Sequence, residues 1–121
     1  MNRIALIFDF DDTLAPDTTS QLLGHMGLDV QGFWREVNGR EKAGAMPGLS
    51  WLHLLCDMAQ EGRLSKSLDP GELAAFGRRV VLHPGVADFF VEVRRELERK
   101  FPGTELEFYV ISAGLEDLLN G

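Results

Sequence analysis

"LIFDFDDTL" (residues 6–14) places Asp9, Asp11 and Asp12 directly behind an unbroken apolar run, Ile4-Ala5-Leu6-Ile7-Phe8. The run does not alternate between apolar and polar residues. That pattern fits a strand covered on both faces, as in a parallel sheet flanked by helices. Carboxylates repel one another and resist burial, so the aspartates belong to the loop at the strand's carboxyl end. A second buried-strand candidate is "LEFYVIS" (residues 106–112), which ends at Ser112-Ala113-Gly114.

Between these strands the chain reads as mainly helical. Thr18, Thr19 and Ser20 offer caps ahead of Leu22, Leu23 and Met26, and Gly27 can stop that helix. Asp29 can cap a second helix whose Val30, Phe33, Trp34 and Val37 recur at helical spacing. A third is expected from Leu49 to about Gln60, with Leu52, Leu55 and Ala59 on one stripe. "DPGEL" (69–73) starts a fourth, with Asp69 as cap, Pro70 in the first turn and Glu72 completing a capping box. In "LHPGVADFFVEVRRELERKF" (82–101), Val86, Phe89, Phe90, Val93 and Leu97 mark a strong apolar face. Glu116 and Asp117 suit the first turn of a further helix.

The expected class is α/β: a strand, a helical insert over 15–82, a helix and a second strand. Handedness rules make the strands parallel if they share a sheet. Asp9–Thr13 and Ser112–Gly114 then meet at the carboxyl edge, where open α/β sheets bind their ligands.

Bulk properties narrow the setting. The 121 residues, 45% hydrophobic and 26% charged, are enough for one globular domain with a real core. A net charge of −7 argues against unassisted nucleic-acid binding, which needs clustered Lys and Arg. Cys56 is the one cysteine, so no internal disulfide can form; its apolar setting, "WLHLLCDMA" (51–59), predicts a small core residue. The first apolar run is too short for a signal core or a membrane span. A cytoplasmic protein without membrane association is expected.

"DFDDTL" behind an apolar strand, with a second apolar strand ending in Ser112, resembles the haloacid dehalogenase-like (HAD) hydrolase superfamily. Asp9, Asp11 and Thr13 match its D-x-D-x-T motif, and Ser112 matches its second motif. The helical stretch between resembles the family's inserted cap, and "HPGV" (83–86) is also a familiar pattern there. The resemblance implies a partial Rossmannoid core, formed by residues 1–14 and 83–121, around a cap at 15–82. It implies a magnesium-dependent phosphate monoester hydrolase acting on a small phosphorylated substrate. In the family the cap chooses that substrate; this insert carries His25, Trp34, Arg35, Arg40, Lys42, Trp51 and His53.

The chemistry accounts for the spacing. A phosphate ester is anionic, and each like-charge pair at 4 Å costs about 4 kcal/mol at an effective dielectric near 20. A carboxylate nucleophile therefore needs a cation, and magnesium, held by Asp9 and Asp11, suits the task. By resemblance Asp9 forms an aspartyl-phosphate, later hydrolysed. Asp11 gives a proton to the departing alcohol and later takes one from water. Thr13 holds the loop, and Ser112 donates to a phosphoryl oxygen, helped by backbone N–H groups at Ala113 and Gly114. Asp12 reads as a turn or surface residue. Asp11 also points away from the dehalogenase and phosphonate-cleaving branches, which lack a carboxylate there.

The family's third motif supplies a Lys and its fourth an acidic metal site, both after the Ser motif. Here Lys42, Lys66 and Lys100 all precede Ser112. Glu116-Asp117 follows it with no strand between. The expectation is therefore an N-terminal portion of a longer enzyme, weakly active or inactive alone and prone to self-association through a bare sheet edge. The alternative is a non-catalytic binding or assembly module on the same scaffold.

Overall fold

The computed structural model describes residues 2–121. Its elements are β1 (Arg3–Phe8), α1 (Thr18–His25), α2 (Val30–Lys42), α3 (Ser50–Gln60), α4 (Pro70–Gly77), α5 (Val86–Lys100), β2 (Glu105–Val110) and α6 (Glu116–Leu119). The chain is thus mixed α/β, with a two-stranded parallel sheet. It packs as two units. Residues 2–17 and Val80–Ser112 form a sheet unit; Thr18–Arg79 and Ala113–Gly121 form a helical unit.

In the sheet unit, β1 and β2 pair from Arg3↔Glu105 to Phe8↔Val110. A parallel pair requires a crossover connection, which the intervening helices supply. Side chains alternate across a strand, so Leu6, Phe8, Leu106 and Phe108 share one face. α5 lies on that face: Phe90 meets Phe8 and Phe108 edge-to-face at centroid distances of 5.6 and 4.8 Å. Asp88 in the first turn of α5 and Arg99 and Lys100 in its last suit the helix dipole.

The expectation of strands covered on both faces is corrected here. Ile7 is 61% exposed, and Leu106 alone is buried among the strand residues. The reason lies in the second face. It carries Arg3, Glu105 and Glu107, where Arg3 pairs with Glu105 at 2.8 Å and Tyr109 donates to Glu107 at 2.7 Å. Ion pairs of this kind remain in water because desolvating them costs more than the attraction returns. Nor is any α5 residue fully buried, despite the helix's apolar stripe.

The helical unit holds the principal core. Leu23, Phe33, Val37, Leu54, Leu55 and Met58 form one buried cluster, with Val30, Trp34 and Trp51 packed against it. The buried stripe of α3 is therefore Leu54, Leu55 and Met58. The expected stripe is corrected: Leu52 is half-buried and Ala59 exposed. Cys56 is exposed, not a core residue. Both corrections follow from which face of α3 meets Phe33 and Val37 on α2. Leu54→Ala should therefore lower stability by about 2–5 kcal/mol, as for other buried leucine truncations. Leu52→Ala should cost clearly less. Urea denaturation followed by circular dichroism reads both, and a larger loss at Leu52 would reject this packing.

α4 starts as its sequence suggests, with Asp69 accepting from the Glu72 backbone N–H at 2.9 Å and Pro70 in the first turn. The Glu72 side chain is drawn instead to His25, at 3.1 Å, and lies 3.7 Å from Lys66. The His25 hydrogen bond, helped by the charges of Lys66 and Arg79, holds the Glu72 carboxyl below its ordinary value of 4.5. A depressed folded-state value contributes stability that is complete above the ordinary value and fades as pH falls through the depressed one. Glu72→Gln should therefore lower the urea midpoint at neutral pH, with the gap to wild type closing in acid. A gap independent of pH would show that the carboxylate's charge is not what stabilises this junction.

The sequence reading groups residues 83–121 together, whereas the last nine residues pack with α4. A Cβ at Gly77 would collide with the Leu118 carbonyl, and one at Gly121 with the Ala74 carbonyl. The two glycines thus allow an approach of backbones that no other residue type permits.

Candidate active site

Phe8, the last residue of β1, accepts at its carbonyl from the Ile111 N–H at 2.8 Å. The ladder therefore continues one residue past β2, and Asp9 and Ser112 leave the same carboxyl edge of one parallel pair. Asp9 is exposed, and its Oδ1 accepts from the Phe10 N–H at 2.8 Å. Asp11 and Ser112 are half-buried, and Thr13 is exposed. The sheet unit thus contains Asp9, Asp11, Thr13 and Ser112 together. Ala113 and Gly114 follow Ser112 directly in the chain but pack with the helical unit.

The acidic loop is wound around one carbonyl. Phe10 O accepts from the N–H groups of Thr13, Leu14 and Ala15, at 3.2, 2.9 and 3.2 Å. Asp12 completes the turn with a φ of 59°, a left-handed conformation that Asp tolerates better than most residues. Its backbone N–H donates to Ala15 O at 2.7 Å, and its Oδ1 accepts from the Asp17 N–H at 3.2 Å. Asp12 is thus an exposed turn residue that shapes the loop.

Two anchors escaped the sequence reading. Leu14 and Ala15 are buried, 7% and 0% exposed, and pin the far end of the acidic loop. The Leu14 carbonyl accepts from the His83 N–H at 2.8 Å, tying that end to the segment that leads into α5. The signal was present: an apolar pair directly behind a polar turn is a place where a loop is held down.

Magnesium is a hard ion, commonly held by one or two carboxylates together with substrate oxygens and water. The carboxylate oxygens of Asp9 and Asp11 fit that donor chemistry. Among the described residues, no three His, Cys, Asp or Glu side chains converge in a way that could hold a metal ion.

Fold and site together define an α/β chain with an acidic loop at the carboxyl edge of a parallel strand pair. No family model matches the chain, and no solved structure matches it. An uncharacterized protein of Borreliella burgdorferi is 31% identical over 130 residues, an alignment covering 99% of this chain and 45% of that protein. The chain therefore spans about half the length of this relative. Among the described residues, no helix is long and apolar enough to cross a membrane.

Proposed function

We propose that the complete polypeptide is a magnesium-dependent phosphate monoester hydrolase of the haloacid dehalogenase-like kind, with the sheet unit as part of its Rossmannoid core and the helices of 15–82 as its cap. One observation carries the reading. The parallel register brings Asp9, at the end of β1, and Ser112, just beyond β2, to one carboxyl edge. D-x-D-x-T at one strand end and Ser at its neighbour form a set that suits phosphoryl transfer.

In this reading an Asp9 carboxylate oxygen attacks phosphorus, and the bond from phosphorus to the ester oxygen breaks. Asp11 gives its proton to the departing alcohol, leaving a phosphoryl group on Asp9. Asp11, now a base, takes a proton from water as that water attacks the phosphoryl group and frees Asp9. The Ser112 hydroxyl donates to a phosphoryl oxygen, where charge accumulates. Thr13, whose N–H donates to Phe10 O, keeps the loop in register with the strand end. A magnesium ion on Asp9 and Asp11 would neutralise the charge that otherwise repels the nucleophile from the phosphate.

The test uses p-nitrophenyl phosphate and magnesium with the longer gene product and the 121-residue chain. Acid quenching and peptide mass mapping should find a phosphoryl adduct on Asp9 in the longer product, with chelator-sensitive phosphate release. The shorter chain should turn over far more slowly, since it has no lysine behind Ser112. Magnesium-dependent turnover with the adduct at another residue, or with none, would remove Asp9 as nucleophile.

A further inference from the structure

The helical unit holds a polar junction that the chemistry above does not use. His25 is the last residue of α1, and its side chain is 19% exposed, so water does not freely replace a partner it loses. It lies against α4 and the turn that ends it, where Glu72, Phe76 and Arg79 stand at i, i+4 and i+7. The His25 and Phe76 rings meet at a centroid distance of 5.0 Å. One ring nitrogen, Nε2, lies 3.1 Å from Glu72 Oε1 and 3.3 Å from Arg79 Nη2. Lys66, from the segment ahead of α4, lies 3.7 Å from the same Glu72 oxygen.

The two contacts ask opposite things of one atom. A carboxylate accepts, so Nε2 must carry a hydrogen to bond Glu72. A guanidinium donates and cannot accept, so Nε2 must offer a lone pair to bond Arg79. One nitrogen cannot do both at once. In the protonated ring both nitrogens are donors, and the lone pair that Arg79 needs is gone. The surrounding charges oppose one another. Glu72 and the negative end of α1 favour the added proton, whereas Arg79 and Lys66 disfavour it. Histidine is the side chain that ordinarily changes charge between about pH 5 and 8.

We propose that His25 is a proton-operated selector between Arg79 and Glu72. In the neutral ring Nδ1 carries the hydrogen and Nε2 accepts from Arg79. A proton taken from solvent at Nε2 turns that atom into a donor, which makes a charge-assisted bond to Glu72 and releases Arg79. The low carboxyl value of Glu72 belongs to this second state, since its largest cause is the His25 hydrogen bond. Arg79 matters because of its place: it is the last residue of the helical unit before the chain enters the sheet unit at Val80. Acid thus trades a tie at the exit of the helical unit for a tie between the end of α1 and the start of α4. The selector is independent of the phosphatase reading, since none of Asp9, Asp11, Thr13 or Ser112 takes part.

Nuclear magnetic resonance of the ¹⁵N-labelled 121-residue chain, from about pH 8 to about pH 5.5, tests it without any activity. At the upper end His25 Nε2 should show the shift of a ring nitrogen without hydrogen. As pH falls, the Arg79 side-chain nitrogens and the Val80 amide should move with the same midpoint as the His25 ring. His25→Phe keeps a ring against Phe76 and should abolish the response of Arg79 and Val80. Glu72→Gln keeps an acceptor oxygen without its charge and should move the response to lower pH. Circular dichroism checks that both variants are folded; should either fail, the wild-type state of Nε2 decides alone. A hydrogen on Nε2 at both ends of the titration would overturn the proposal, because Glu72 would then hold His25 throughout. So would an Arg79 response that survives His25→Phe.

Discussion

Asp9→Asn should abolish the phosphate ester turnover proposed for the complete polypeptide while leaving the fold unchanged. The two halves of that expectation rest on different observations. Asp9 is exposed, and its Oδ1 accepts a local bond from the Phe10 N–H at 2.8 Å. The Asn amide oxygen can accept the same bond, so the loop around the Phe10 carbonyl has no reason to rearrange. What the substitution removes is the anionic oxygen that attacks phosphorus in the proposed mechanism. Removing a covalent nucleophile costs on the order of 10⁶-fold in rate, and the phosphoryl adduct should vanish with it. Circular dichroism and urea melting of the variant should overlay the wild type. Retained turnover in a variant that melts normally would move the nucleophile elsewhere.

The same loop shows how far residues alone lead. An unbroken apolar run followed by three acids marks a strand and its mouth, because carboxylates have nowhere else to go. Parallel pairing was expected from the handedness rules for strands that share a sheet, and the register is parallel. The coverage of the sheet was misread from β1 alone. β2 held the contrary signal: Glu105 and Glu107 alternate with Leu106 and Phe108, and one face of an alternating strand meets water. That face carries the Arg3 ion pairs in the structure.

α3 failed for another reason. "SWLHLLCDMAQ" contains two overlapping helical stripes, one through Leu54, Leu55 and Met58 and one through Leu52, Leu55 and Ala59. Helical spacing accepts either. The choice belongs to the side chains that α3 meets, Phe33 and Val37 of α2, which are far away in sequence. Glu72 follows the same logic, because a capping box competes with a His25 contact that no local pattern announces. At the site, the aspartates were legible as a group. The left-handed Asp12, the Phe10 carbonyl that gathers three N–H groups and the His83 tether all depend on closure of the turn.

Asp11→Asn should slow hydrolysis of an alkyl phosphate about 10²–10⁴-fold, the range for loss of a general acid or base. It should slow p-nitrophenyl phosphate hydrolysis far less. The difference follows from where the proton is needed. An alkoxide is a poor leaving group and must be protonated as the bond to phosphorus breaks, whereas p-nitrophenolate departs without help. Asp11 is half-buried between the two bonds that bridge the loop to Ala15, from the Ala15 N–H to Phe10 O and from the Asp12 N–H to Ala15 O, and these fix the base of its side chain two residues from Asp9. Asn keeps that backbone bridge and the side chain's size but can neither release nor accept the transferred proton. A purely structural role would shift the loop and slow both substrates alike. Measuring kcat for the two esters on wild type and variant separates the cases, and equal losses would return Asp11 to the role of a loop residue.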